Sequence, residues 1–158
     1  MSKKFKEPEA LTSVAAFHDT FTLPVLDDPV IPSKDRCDLR VNLIEEEVRE
    51  LKEAIEANDL VEVADALCDI QYVLSGAILE FGLGDKFKSL FDEVQRSNMS
   101  KTCKTMDEAV ATQAHYKAAK NTDSHIVEKN GEYLVYRNED KKVLKSVNYS
   151  PADIVGMI

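Results

Sequence analysis

The spacing of apolar residues divides this chain into five helical segments followed by a short β region. Between Pro8 and Thr20, Leu11, Val14, Ala15 and Phe17 or His18 fall on one side of a helix. Residues 21–34 hold Pro24, Pro29 and Pro32, each of which removes a backbone donor and biases its predecessor toward extended geometry, so this stretch reads as a connecting loop. From Asp35 to Ala57 there is no Gly or Pro, and Leu43, Ile44, Val48, Leu51 and Ile55 recur at offsets of three and four, which is one helical face. Asn58-Asp59 supplies a break and an N-cap, and Leu60 to Phe81 then reads as helix until Gly82 and Gly84 stop it. Two long helices joined so tightly should pack antiparallel.

A fourth helix is predicted over Asp85 to Met99 and a fifth over Thr105 to Ala119, the latter opened by Thr105-Met106-Asp107-Glu108 with an acid at the third helical position. The period then changes. His125 to Glu128 and Tyr133 to Tyr136 flank Asn130-Gly131, a strong hairpin turn, and Val143-Leu144 offers a third strand. The expected architecture is therefore an all-α antiparallel bundle of about five helices over residues 1–121, with a small C-terminal β-hairpin extension over residues 122–158.

Composition adds exclusions. The 20 Lys and Arg against 29 Asp and Glu give a net charge of −9, the wrong sign for holding nucleic acid by phosphate neutralisation. A small phosphorylated ligand remains compatible if a divalent cation stands between its phosphates and the protein's carboxylates. Cys37, Cys68 and Cys103 are odd in number and widely spaced, so they read as reduced thiols and not as a disulfide framework or zinc site. No stretch approaches 18 uncharged apolar residues and no apolar run follows the basic N-terminus, which speaks against a membrane span or a secretory signal and for a cytoplasmic protein.

The acids carry the candidate chemistry. On the second helix, Glu47 and Glu50 project from nearly one side and Glu46 lies four residues before Glu50. On the third, Glu62, Asp65 and Asp69 form one stripe, continued by Tyr72, with Leu60, Val63, Ala64, Leu67, Ile70 and Leu74 opposite. The bland reading is solvated surface charge. Against it, Val61, Ala66, Cys68 and Val73 make the third helix apolar nearly all round, as expected of a buried helix, and unpaired carboxylates there would cost several kcal/mol. Only Arg49 is a nearby base. Four or five carboxylates converging from two helices would suit magnesium or manganese, whereas His18, His115 and His125 show no ligand spacing and read as structural or exposed.

Glu46-Glu47-Val48-Arg49-Glu50 followed by Glu62-Val63-Ala64-Asp65 resembles the paired acidic signature of the all-α nucleoside triphosphate pyrophosphohydrolases, the MazG-like and phosphoribosyl-ATP pyrophosphohydrolase-like proteins. The likeness runs through Asp69, Tyr72 and Gly76 to Arg96-Ser97-Asn98-Met99-Ser100-Lys101, over residues 14–101. It implies a helical protein that forms a homodimer or higher homo-oligomer, holds magnesium and cleaves a nucleoside triphosphate between its α and β phosphates. Carried over by position, Glu47, Glu50, Glu62 and Asp65 are the implied metal ligands. Glu46 would serve a second ion or orient the attacking water, so that Glu46, Glu47 and Glu50 form the catalytic group.

Arg96, Asn98 and Lys101 are the implied contacts to the substrate's phosphates or sugar. Many members carry Glu-Leu-x-Asp where this chain has Ala66-Leu67-Cys68-Asp69, which favours the Glu62 and Asp65 register and leaves Asp69 to reach a ligand through water. The implied reaction is pyrophosphate release from a non-standard or deoxynucleoside triphosphate, with dUTP-like substrates favoured by the subgroup likeness. Phosphoribosyl-ATP is the rival substrate, and a noncatalytic nucleotide- or metal-binding helical dimer is the rival class. No Gly-rich phosphate loop or Ser, His and Asp set is present.

Overall fold

The computed structural model describes residues 3–158. Its elements run α1 (Ala10–Thr20), α2 (Lys34–Glu56), α3 (Leu60–Glu80), α4 (Gly84–Met99), α5 (Met106–Lys120), β1 (Ser124–Lys129) and β2 (Glu132–Arg137), with a 3-10 turn at Val155–Met157. This is the expected helical protein with a small antiparallel appendage. No single helix among the described residues is long and apolar enough to cross a membrane.

Two compact units divide the chain, Met1–Phe87 and Lys88–Ile158. The reason lies in α5, which packs on β1 and β2 and shares a core with them. In that core Cys103, Ala109, Val135 and Leu144 are buried, with Tyr116, Ile126 and Tyr133 against them.

In the first unit α2 packs along α3, and α1 packs on α3. Asn58 adopts the left-handed conformation between the long helices, and the Asp59 carboxylate caps α3 by accepting from the N–H groups of Val61 (3.0 Å) and Glu62 (3.2 Å). The proline-rich segment straps the far end of α3, where Leu26 N–H donates to Leu79 O (3.0 Å) and Val30 N–H to Phe81 O (3.1 Å). Gly82, at φ 65°, ends the helix beneath this strap, and a Cβ there would collide with the Asp28 carbonyl.

Burial in α3 is confined mostly to its second half. Ser75, Gly76, Ile78, Leu79 and Glu80 are covered, whereas Leu60 is 79% exposed and Val61 75%. The expectation of a helix buried along its length therefore fails within one chain, because α1 and α2 cover only part of an apolar girdle. Two uncovered stripes result. Val41, Val48 and Ile55 repeat every seven residues along α2, and Leu60, Leu67 and Leu74 do so along α3.

A polar cluster occupies the covered end. Glu80, 1% exposed, accepts from Arg36 and Arg40, and the Arg40 guanidinium also donates to His18 Nε2 (3.1 Å). Since arginine cannot accept, the His18 proton sits on Nδ1, which donates to Pro24 O (2.7 Å). Burial would push the Glu80 carboxyl up, but hydrogen bonds from Arg36 and then Arg40 outweigh it and hold it below the usual carboxylate range. A Cβ at Gly76 would strike the Arg40 guanidinium at 2.6 Å, so glycine leaves room for this cluster.

In the second unit Thr105 caps α5 by accepting from Glu108 N–H (3.1 Å), and Asn121 closes it in the left-handed conformation. Asn130 and Gly131, both at positive φ, make the hairpin turn that the sequence predicts. The third strand is reduced to a bridge between Tyr136 and Val143 beside β2.

Candidate functional site

All six acids of interest lie on α2 and α3 in the first unit. Glu47 stands at their centre. It is half-buried, and its Oε2 has neither solvent contact nor a hydrogen-bond partner. Its carboxyl is pushed above the usual range by burial first, and then by the charges of Asp69, Glu50, Glu46 and Asp65. The two helices thus bring four other carboxylates within electrostatic range of Glu47. Glu62, nearer the α2–α3 turn, is not among the four that act on Glu47.

No base offsets this charge. Among the described residues none of the six acids is in an ion pair, and Arg49 turns away to Glu53 (3.1 Å). Nor do any three Asp, Glu, His or Cys side chains among the described residues close on a single point as a finished metal site. The donor set itself consists only of carboxylate oxygens, which suits a hard cation, and the orphaned Oε2 of Glu47 is an acceptor without a donor.

One turn beyond Glu47 and Asp69, a cavity of about 260 Å³ opens between α1, α2 and α3. Leu43 on α2 and Tyr72 and Val73 on α3 form its near wall, and Phe17 stands edge-on to Tyr72 with ring centres 5.6 Å apart. Arg40 also lines it, and its buried Nε–H lacks an acceptor. The cavity is apolar apart from the His18, Arg36 and Arg40 groups at its floor.

A family model described as phosphoribosyl-ATP pyrophosphohydrolase matches residues 14–98, more than half of the chain. The chain belongs to that family. The pyrophosphohydrolase match takes in α2, α3 and every one of the six acids, and it ends at Asn98, before Lys101. Among curated proteins, the uncharacterized protein L479 of Acanthamoeba polyphaga mimivirus is 42% identical over 69 residues, which is 40% of this chain and 28% of that protein. The match therefore spans little more than a quarter of that relative's length.

The expected substrate contacts Arg96, Asn98 and Lys101 lie in the second unit. Arg96 chelates Glu93 with two 2.7 Å bonds and donates to Ser150 Oγ (3.0 Å) and Pro151 O (2.9 Å), fastening the C-terminal segment to α4. That grip holds the Glu93 carboxyl down at about 2. Lys101 donates to Asn98 Oδ1 (2.7 Å), so these two residues meet each other.

Two features escaped the sequence reading. Asp69 acts on Glu47 more strongly than Asp65 does, and a signal was available, since Glu47 lies eleven residues before Asn58 and Asp69 eleven after it. Folding about that turn sets them level. The Arg36, Arg40, Glu80 and His18 cluster spans distant segments and carries no comparable spacing signal.

Proposed function

We propose that this family member is a magnesium-dependent pyrophosphohydrolase that converts a nucleoside triphosphate to the monophosphate and pyrophosphate. The observation that carries the reading is Glu47, a half-buried carboxylate with an orphaned oxygen inside a ring of like charges. Such a group is costly to keep unless a cation compensates it.

Glu47, Glu50, Asp65 and Asp69 would hold the ion, with Glu62 contributing from the turn side. Magnesium there would neutralise phosphate charge and lower the pKa of a water in its shell. Glu46, exposed at the edge of the cluster, would accept the proton of the attacking water. Cleavage between the α and β phosphates then needs in-line alignment and charge neutralisation, with no nucleophilic side chain.

The apolar cavity beside Tyr72 supports a nucleotide as substrate, because a base could enter it while the phosphates face the acids. A dUTP-like base in that cavity is the finer reading that the sequence likeness supports. The family's own description favours a second reading, in which phosphoribosyl-ATP is the substrate of the same carboxylates.

The uncovered seven-residue stripes on α2 and α3 support assembly with a second copy of the chain. Such periodic apolar seams are covered by helices packed at shallow angles.

Pyrophosphate release from a panel of triphosphates and phosphoribosyl-ATP, with magnesium and with chelator, tests the assignment. Magnesium-dependent product from one of them is expected. Nucleotide binding without any product would instead identify a noncatalytic sensor.

A further inference from the structure

The segment from Lys145 to Asp153 is laced to the end of α4 and the connection after it. Asp153 N–H donates to Glu93 Oε1 (2.8 Å), Ser150 N–H to Ser100 Oγ (3.0 Å) and Ser146 N–H to Lys101 O (3.3 Å). Arg96 adds further ties. One of its N–H groups goes to each Glu93 oxygen, one to Ser150 Oγ and one to Pro151 O, which uses four of the five donors that a guanidinium has. Arg96 is thus built as an anchor for this segment. The anchored stretch, Glu93 to Lys101, is the one that carries Asn98 and Lys101.

Tyr149 stands at the middle of the lacing, half-buried. Its N–H donates to Ser146 O (2.9 Å), and its hydroxyl shares a hydrogen bond of 2.9 Å with Ser97, a buried residue of α4. The ring is thereby fixed at both ends. The Lys145 ammonium lies 4.2 Å from the ring centre, within the range at which an aromatic face attracts a cation. The Lys101 ammonium acts on the same phenol and is itself held by Asn98 Oδ1 at 2.7 Å. The hydrogen bond with Ser97 first, and then Lys145 and Lys101, hold that phenol below its ordinary value against the opposing effect of burial.

Two ammonium groups brought to one place repel, and each rides on a flexible four-carbon stem. An attractive surface between them offsets both costs. We infer that Tyr149 is a positioning residue for the pyrophosphohydrolase reaction: bound to α4 through Ser97, its ring holds the Lys145 ammonium beside that of Lys101, the implied substrate contact. The segment from Lys145 to Asp153 is then a working part of the substrate-binding apparatus, and Arg96 serves as its anchor. The inference rests on the proposed reaction and on the place of Lys101 in it.

Steady-state kinetics of the full chain, on a triphosphate that the wild type hydrolyses with magnesium, test this. Tyr149→Leu is expected to raise KM by about fivefold or more with kcat within about twofold, as loss of a contact made equally in ground and transition states does. Tyr149→Phe, which keeps the ring under Lys145, should recover most of that loss. Because Tyr149 acts through Lys145, combining Tyr149→Leu with Lys145→Gln should be no worse than Lys145→Gln alone. Should Tyr149→Leu misfold by circular dichroism, Ser97→Ala compared in the same way with Lys145→Gln carries the readout. An unchanged KM in Tyr149→Leu, effects of the two variants that multiply, or a fall in kcat and melting midpoint with KM intact overturns the inference while leaving the reaction in place. A wild type that releases no pyrophosphate from any triphosphate or from phosphoribosyl-ATP overturns the reaction and this role together.

Discussion

Asp69 on α3 acts on Glu47 of α2 more strongly than Glu50 and Glu46 do from Glu47's own helix. The pairing follows from the turn at Asn58, about which the two positions are mirror images. If these groups share a cation, magnesium should stabilise the fold, by about 2.7 kcal/mol at a hundred times Kd. Asp69→Asn is expected to remove at least as much of that gain as Glu62→Gln. Thermal melting with and without magnesium measures both, and an undiminished shift in Asp69→Asn would remove Asp69 from the site.

Burial first, and then the charges of Asp69, Glu50, Glu46 and Asp65, disfavour the charged form of Glu47. Glu47→Gln should therefore stabilise the metal-free protein, by about 1 kcal/mol or about 2–4 °C in a chain of this size, while abolishing turnover. A melting midpoint in EDTA that falls on substitution would show that this carboxylate is instead a structural partner.

Much of this was legible beforehand. Helices read from period and caps agree with α1 to α5 within a residue or two, because Asp59 and Thr105 cap where their side chains allow and Asn130-Gly131 can turn only one way. The acids on α2 and α3 were legible from their spacing. What spacing does not carry is which α3 carboxylate stands level with Glu47, since that depends on the turn, and which apolar stripes one chain leaves uncovered. Glu80 was also silent, for its partners Arg36 and Arg40 lie 44 and 40 positions away.

That silent cluster makes a stability prediction. Removing the Glu80 charge strands Arg40 beneath α1, so Glu80→Gln should cost about 3–5 kcal/mol. The sign with pH follows from the depressed carboxyl. Its contribution is complete above the unfolded-state value of an ordinary glutamate and is lost as pH falls below that through the lower folded value. Denaturant melts should therefore show the Glu80→Gln deficit shrinking in strong acid; a deficit constant with pH would contradict the ion-pair account.

The stripes Val41, Val48, Ile55 and Leu60, Leu67, Leu74 predict association. Val48→Glu combined with Leu67→Glu should shift the protein to monomer in light scattering after gel filtration, with helix content retained. A wild type already monomeric at high concentration would mean that another surface covers them, or none.

The most direct test of the central claim is phosphorus NMR of the magnesium-supported reaction run in oxygen-18 water. Attack at the α phosphorus predicts that the heavy oxygen appears in the nucleoside monophosphate and not in the pyrophosphate. Label in the pyrophosphate, release of orthophosphate with a nucleoside diphosphate, or no product from any triphosphate or from phosphoribosyl-ATP would contradict it.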